Sequence, residues 1–162
     1  MATKSQKLAK PGSQQFAFGD AGNADGPVRF TDLLDLFGTK GADAIAAIRT
    51  GFPATLLKDT GQYFNVPAQR IRAMVRLPET TALALSKRNA LMDAASSERL
   101  WRLADMMSLA RDVFDNDEDA KIWLRTPNIS FRDVAPMDYL DTEPGAIAVR
   151  EVLNAIATGG AL

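Results

Sequence analysis

Residues 53–77, PATLLKDTGQYFNVPAQRIRAMVRL, contain two short helical patterns around a tight turn. Apolar residues recur at helical spacing in both halves, which predicts one buried side for each helix. Pro67 can start the second helix, because the first turn of a helix does not use the N–H that proline lacks. Asn65 can take the left-handed backbone conformation of a turn. This layout predicts a helix-turn-helix, whose second helix enters the major groove of DNA.

The second helix of this unit carries polar side chains on the side facing away from its predicted core. Arginine donates paired hydrogen bonds to phosphate and to guanine, and glutamine pairs similarly with adenine. A solvated helix face without a ligand would have the same pattern. Because a helix-turn-helix surrounds these residues, we favour DNA contact and predict a DNA-binding set of Gln69, Arg70, Arg72 and Arg76.

The segments that flank this unit are helical or irregular. Residues 1–29 mix glycine and proline with polar residues and show no apolar periodicity, so we expect a flexible tail. Phe30 to Phe37 is predicted to be a short helix with Thr31 as its N-cap and Gly38 at its end. A second short helix is predicted from Ala42 to Thr50.

The longest apolar stripe of the chain follows Ser96, where apolar residues recur at steps of three and four and predict a helix of four or five turns. Asn116 or Asp117 is predicted to cap the next helix, which must end before Pro127. Thr142 and Pro144 mark the start of a last helix. Since no segment shows the alternation typical of strands, the predicted fold class is all-α. The residues of the stripe are Leu100, Leu103, Met107, Ala110 and Phe114.

The composition excludes many kinds of enzyme. The 162 residues include no histidine and no cysteine, which removes the Ser-His triad, thiolate nucleophiles and the commonest zinc ligands. No phosphate-binding or dinucleotide-binding glycine motif is present either. We therefore expect no catalytic site, no metal site and no cofactor. No apolar run reaches the roughly 18 residues of a membrane span, so we expect a cytoplasmic protein that does not bind membranes.

The net charge of −1 conceals an uneven distribution of charge. Residues 51–111 carry nine Lys and Arg against five Asp and Glu, whereas residues 112–162 carry four against ten. A basic surface suits a polyanion and an acidic surface suits a basic partner. The alternative interpretation is that both are ordinary solvated helix faces.

The C-terminal part of the chain carries a series of motifs that resembles a known family. The motifs are Val113-Phe114, Trp123-Leu124, Thr126-Pro127-Asn128, Pro136, Leu140-Asp141-Thr142 and Gly145, in that order. Their order and spacing resemble the C-terminal toxin-binding domain of Xre/MbcA/ParS-like antitoxins. In such a protein the preceding helix-turn-helix would be the Xre-like N-terminal half.

This resemblance implies a type II antitoxin that occludes the active site of a cognate RES-domain, NAD-consuming toxin and represses its own operon. It implies a homodimer on operator DNA, within a larger complex with the toxin. The expected organisation is a tail over residues 1–29, a helix-turn-helix domain for DNA binding and dimerisation over 30–93, and a helical toxin-binding domain over 94–162. A plain repressor whose C-terminal half serves only for dimerisation is the alternative.

Within the toxin-binding part, polar residues near the Thr-Pro-Asn turn and the acidic residues after Pro136 are the candidates for toxin contact. A rigid polar loop binds with little loss of entropy, and acidic side chains complement the basic phosphate site of an NAD-binding toxin. Trp123 is interpreted as a core residue instead, because tryptophan supplies a large buried area. The predicted toxin-binding set is Arg125, Asn128, Asp138, Asp141 and Glu143.

Overall fold

The computed structural model describes residues 26–35 and 41–160, and every regular element in these ranges is helical. This confirms the all-α class. Short 3-10 turns lie at Ile129–Phe131 and Pro136–Tyr139. The α-helices are α1 (Phe30–Asp35), α2 (Gly41–Thr50), α3 (Leu56–Phe64), α4 (Ala68–Val75), α5 (Glu79–Lys87), α6 (Ala94–Phe114), α7 (Asp117–Arg125) and α8 (Glu143–Ala157).

Helix α6 is the centre of the fold and packs against α1, α2, α4, α7 and α8. The predicted stripe forms its buried side, since Leu100, Leu103, Met107 and Ala110 are all inaccessible to solvent. At 21 residues α6 is longer than the predicted four or five turns. Its N-terminus is capped by the Asp93 carboxylate, which accepts a hydrogen bond from the Ser96 N–H.

Helices α3 and α4 form the predicted helix-turn-helix. Asn65 has the left-handed backbone conformation, with φ 52°, and its N–H donates to the Gln62 carbonyl. The Val66 N–H donates to the Gly61 carbonyl, which completes a helix C-terminal motif. A Cβ at Gly61 would lie 2.9 Å from the Val66 carbonyl oxygen, so glycine permits the close return of the chain.

Two details of the predicted helix ends are wrong. Helix α1 begins at Phe30, which places Thr31 inside the helix instead of at its N-cap. The Asp32 carboxylate accepts a hydrogen bond from the Arg29 N–H at this end. Helix α4 ends at Val75, so Arg76 lies in a left-handed cap after the helix and not on the polar side of the helix itself. The predicted stop at Gly38 lies outside the described residues.

Other local predictions are confirmed. Asn116 caps α7 by accepting from the Asp119 N–H, and Thr142 caps α8 by accepting from the Gly145 N–H. Trp123, which was predicted to be a core residue, is half-buried and packs against the edge of the core, with its ring tilted against that of Phe114.

The predicted domain boundary at residues 93 and 94 coincides with the start of α6, but the core does not divide there. Buried residues from both sides of the boundary form one cluster, which extends from Phe30 to Leu153. The division at this boundary therefore stays a prediction, and the predicted tail lies almost entirely outside the described residues. Within the described part, none of the helices is long and apolar enough to cross a membrane.

Candidate protein and DNA interfaces

The predicted DNA-binding helix faces the predicted toxin-binding residues. Arg70 on α4 forms a paired contact with the Asp138 carboxylate, with Nε 3.0 Å from Oδ1 and Nη2 2.7 Å from Oδ2. Paired charge-assisted contacts of this kind are geometrically specific and stronger than a single neutral hydrogen bond. Arg70 Nη2 also donates to the carbonyl of Arg125. Residues far apart in sequence therefore meet at one contact.

A second ion pair lies at the end of α4. Arg76 Nη2 is 2.7 Å from Asp141 Oδ2, and the Arg76 backbone has φ 58°. A non-glycine residue in this conformation is unfavourable by roughly 1–2 kcal/mol, so neighbouring contacts must hold it. Arg99 on α6 donates to the carbonyls of both Val75 and Asp141, which fixes the two chain segments beside each other.

Arg125 extends this contact to α3, because its Nη1 donates to the carbonyl of Phe64 at 2.7 Å. That carbonyl belongs to the last residue of the helix, where acceptors lack an intrahelical donor. Five predicted site residues therefore form one cluster, which we name the α4 latch. Its members are Arg70, Arg76, Arg125, Asp138 and Asp141.

The other four predicted residues lie outside the α4 latch. Gln69 is exposed on α4, and Arg72 Nη2 lies 3.4 Å from Glu79 Oε1. Asn128 caps the 3-10 turn at 129–131 by accepting from the Ser130 N–H. Glu143, on the first turn of α8, lies with its Oε2 3.2 Å from Nε of Arg102 on α6. The two predicted sets are thus not two separate surfaces.

Sequence reasoning missed a polar cluster between α3 and α7. The Tyr63 hydroxyl donates to Asp117 Oδ1 at 2.7 Å, and Lys121 Nζ lies 2.7 Å from Asp117 Oδ2. The Lys121 ammonium also lies 4.2 Å from the centroid of the Tyr63 ring, as in a cation–π contact. Arg111 Nε is 3.4 Å from Asp117 Oδ1. In the sequence, Tyr63 lies on one predicted helix and Asp117 lies in an acidic run 54 positions later, so no local pattern links the two residues.

This cluster shifts the ionisation of its members. Burial acts to raise the pKa of Asp117, but hydrogen bonds from Lys121 and Tyr63 and the nearby positive charges outweigh it, so the pKa falls below its ordinary value. Burial and the hydrogen bond to Asp117 raise the pKa of Tyr63 well above its ordinary value. Asp117 is therefore a charged acceptor and Tyr63 a neutral donor at neutral pH.

We expect Asp117→Asn to reduce the loss of stability in acid. A depressed folded-state pKa contributes stability that is present above the ordinary value of 3.8 and is lost as pH falls through the folded-state pKa. The wild-type protein should therefore lose more free energy of unfolding than the variant between about pH 5 and pH 2. Urea denaturation at several pH values checks this. Asp112→Asn, on the exposed side of α6, serves as the control, and equal acid losses in Asp117→Asn and the wild type would contradict the expectation.

The loop between α7 and the second 3-10 turn is anchored by an aromatic stack. Phe131 is buried, with its ring centroid 6.1 Å from that of Trp123 and 5.3 Å from that of Tyr139. The Tyr139 hydroxyl donates to the Phe131 carbonyl. Edge-to-face packing of this kind is favoured by the charge distribution of aromatic rings. The stack fixes the loop over residues 126–134 to the turn that carries Asp138.

Gly145, in the first turn of α8, is in close contact with the same turn. An ideal Cβ at this position would lie 1.8 Å from the Tyr139 carbonyl oxygen and 3.0 Å from the Thr142 hydroxyl oxygen. Only glycine lets the start of α8 approach so closely. Gly145 thereby sets the position of Asp138 and Asp141 relative to α8.

Comparison with known proteins relates these elements to one family. Residues 109–159 match the family described as the antitoxin Xre/MbcA/ParS C-terminal toxin-binding domain. An Antitoxin Xre of Pseudomonas putida is 34% identical over 113 residues, covering 69% of this chain and 69% of that protein. An Antitoxin Xre of Yersinia enterocolitica is 23% identical, covering 78% and 86%. A protein of Sphingobium named Prs ADP-ribosylating antitoxin is 27% identical, covering 76% and 84%.

Proposed function

Because the chain belongs to the Xre family of antitoxins, and is thus an antitoxin of a toxin–antitoxin system, we propose that it neutralises its toxin by covering the toxin's substrate entrance. The observation that carries this proposal is the match of residues 109–159 to a toxin-binding domain. In this part of the chain α7 and α8 pack against α6, and the second 3-10 turn packs against α7 and α8. No catalytic role is proposed for the chain itself.

The proposed toxin is a RES-domain protein that consumes NAD. Support comes from the family resemblance of the motifs between Val113 and Gly145. The acidic character of residues 112–162 also suits a partner with a basic substrate site. The name of the Sphingobium relative refers to ADP-ribosylation, which favours transfer of ADP-ribose as the second candidate for the toxin's chemistry.

Expression of the adjacent reading frame tests the antitoxin proposal. Alone, its product should stop growth and lower cellular NAD, and co-expression of this chain should restore both. If the toxin stops growth without lowering cellular NAD, and this chain restores growth, then transfer of ADP-ribose replaces bulk consumption of NAD as the proposed chemistry of the toxin. Growth arrest that this chain does not relieve would contradict neutralisation and favour the plain repressor.

We further propose that the chain binds its own promoter as a homodimer through α3 and α4. The support is the helix-turn-helix geometry around Asn65 and the exposed position of Gln69. Gln69 is the proposed first contact with DNA, and Arg72 follows once its 3.4 Å contact with Glu79 Oε1 opens. Arg70 and Arg76 reach DNA only if their ion pairs with Asp138 and Asp141 break, so the α4 latch links DNA binding to the toxin-binding part.

Promoter affinity tests this second part of the proposal. We expect Gln69→Ala and Arg72→Ala each to weaken binding, by about 1–3 kcal/mol where the side chain reads a base. Loss of a phosphate contact should instead reduce the salt dependence. Arg150→Ala, exposed on α8, is the control. Unchanged affinity in both Gln69 and Arg72 variants would contradict the assignment of α4 as the DNA-binding helix.

A further inference from the structure

The loop over residues 126–134 carries one apolar side chain that is almost fully exposed to solvent. Ile129 is 86% exposed, far more than any other large apolar residue in the described ranges, and Val134 in the same loop is 40% exposed. Single exposed apolar residues are ordinary on protein surfaces. Ile129 differs from such residues because hydrogen bonds within its loop fix the backbone in one conformation.

Hydrogen bonds within the loop hold its main chain. The Asn128 side chain accepts from the Ser130 N–H, and the Asn128 carbonyl accepts from the N–H groups of Phe131 and Asp133. The Asn128 N–H donates to the carbonyl of Val134, which closes the loop across its base. The loop backbone is therefore ordered before any partner arrives.

Unfavourable backbone conformations are maintained in the same loop. Arg132 and Asp133 have φ of 55° and 61°, and neither is glycine. Their neighbour Phe131 is buried in the aromatic stack with Trp123 and Tyr139, which holds this conformation in place. The result is a rigid loop whose buried aromatic residue points inward and whose isoleucine points outward.

We infer that Ile129 is the apolar anchor of the toxin interface and inserts into an apolar pocket on the cognate toxin, an inference that rests on the proposed function. The loop lies within the toxin-binding match at residues 109–159, which identifies the kind of partner. Interfaces concentrate binding free energy in a few anchors that fill pockets, and a rigid loop loses little conformational entropy on binding. The surrounding acidic part of the chain favours basic groups at the rim of the pocket.

The affinity for the purified product of the adjacent reading frame tests this inference, with the full-length chain immobilised. Truncation in Ile129→Ala should weaken binding about tenfold, and Ile129→Asp should weaken it about a hundredfold or more, because a charge would enter an apolar pocket. Leu83→Asp is the matched control, since Leu83 is 52% exposed on α5 and lies outside residues 109–159. Thermal denaturation should give the same melting temperature for wild type and all three variants.

Asn128 provides a second variant, because its side chain orders the main chain of the loop that carries Ile129. Asn128→Ala removes the acceptor of the Ser130 N–H and should weaken toxin binding several-fold, whereas Asn128→Asp keeps an acceptor oxygen and should restore most of the affinity.

If the wild-type chain binds the toxin and Ile129→Asp binds it with the same affinity, the inference about Ile129 is overturned while the proposed function stands. A wild-type chain that does not bind the toxin would overturn the proposed function as well. A change in oligomeric state without a change in toxin affinity would assign Ile129 to contact between copies of this chain and would overturn the inference.

Discussion

Replacing Gly145 by alanine should lower the free energy of unfolding by about 3 kcal/mol or more. Glycine to alanine inside a helix usually raises stability by about 1 kcal/mol, so the expected sign is reversed. The reason is the 1.8 Å separation between the added Cβ and the Tyr139 carbonyl oxygen, which is a fixed backbone atom. Helix α8 or the turn at Pro136–Tyr139 must move to relieve this overlap. Either movement displaces Asp138 and Asp141 from the α4 latch.

Urea denaturation of Gly145→Ala measures this effect. Glu151→Ala, on the exposed side of the same helix, should stay within about 0.5 kcal/mol of wild type. The Gly145 variant should also bind the toxin more weakly, because α8 and the preceding turn both lie within residues 109–159. A loss of stability below about 1 kcal/mol would mean that the turn adjusts without cost, and would contradict the role given to Gly145.

The second large effect is expected on promoter affinity. Asp138→Asn removes one of the carboxylates that face α4 and frees the Arg70 guanidinium from its paired contact. We expect promoter DNA to bind about fivefold more tightly to this variant, since an ion pair with partly exposed members is worth about 1 kcal/mol. The salt dependence of binding should also become steeper as one more phosphate contact forms.

Fluorescence anisotropy with promoter DNA at several salt concentrations measures both quantities. Asp133→Asn is the matched control, because it removes the same charge from an exposed position on the 126–134 loop and asparagine tolerates its left-handed conformation. Asp138→Asn that binds DNA no better than Asp133→Asn would show that the α4 latch does not restrain DNA binding. A smaller increase in both variants would instead reflect the general loss of negative charge.

Local sequence signals predicted much of the fold. The turn at Asn65, the caps at Asn116 and Thr142 and the buried stripe of α6 depend on residues a few positions apart, and each was predictable from short-range chemistry. The N-cap prediction at Thr31 is wrong because α1 begins at Phe30, whose N–H donates to the Asp59 carboxylate on α3, a contact that no local pattern specifies. Helix α4 ends one residue before Arg76 because that residue takes the left-handed conformation.

The tertiary arrangement of the site could not be predicted in the same way. Arg70 and Asp138 are 68 positions apart, and any of several carboxylates could have been the partner of a given arginine. The contact depends on how the turn at Pro136–Tyr139 packs beside α4 and α7, which no local pattern specifies. The exposure of Ile129 could not be predicted for a related reason. The sequence does not distinguish the apolar residues of this loop, and only the fold buries Phe131 and exposes Ile129.

The most direct test of the central claim is a titration of the purified adjacent-frame toxin with this chain, with NAD consumption as the readout. Toxin activity should fall linearly to zero at a fixed molar ratio of the two proteins, because an antitoxin that covers the substrate entrance acts by stoichiometric binding. Ile129→Asp should shift this end point to a large excess, while Leu83→Asp should leave it in place. Full NAD consumption in the presence of excess wild-type chain would contradict the claim that residues 109–159 neutralise the toxin by occlusion.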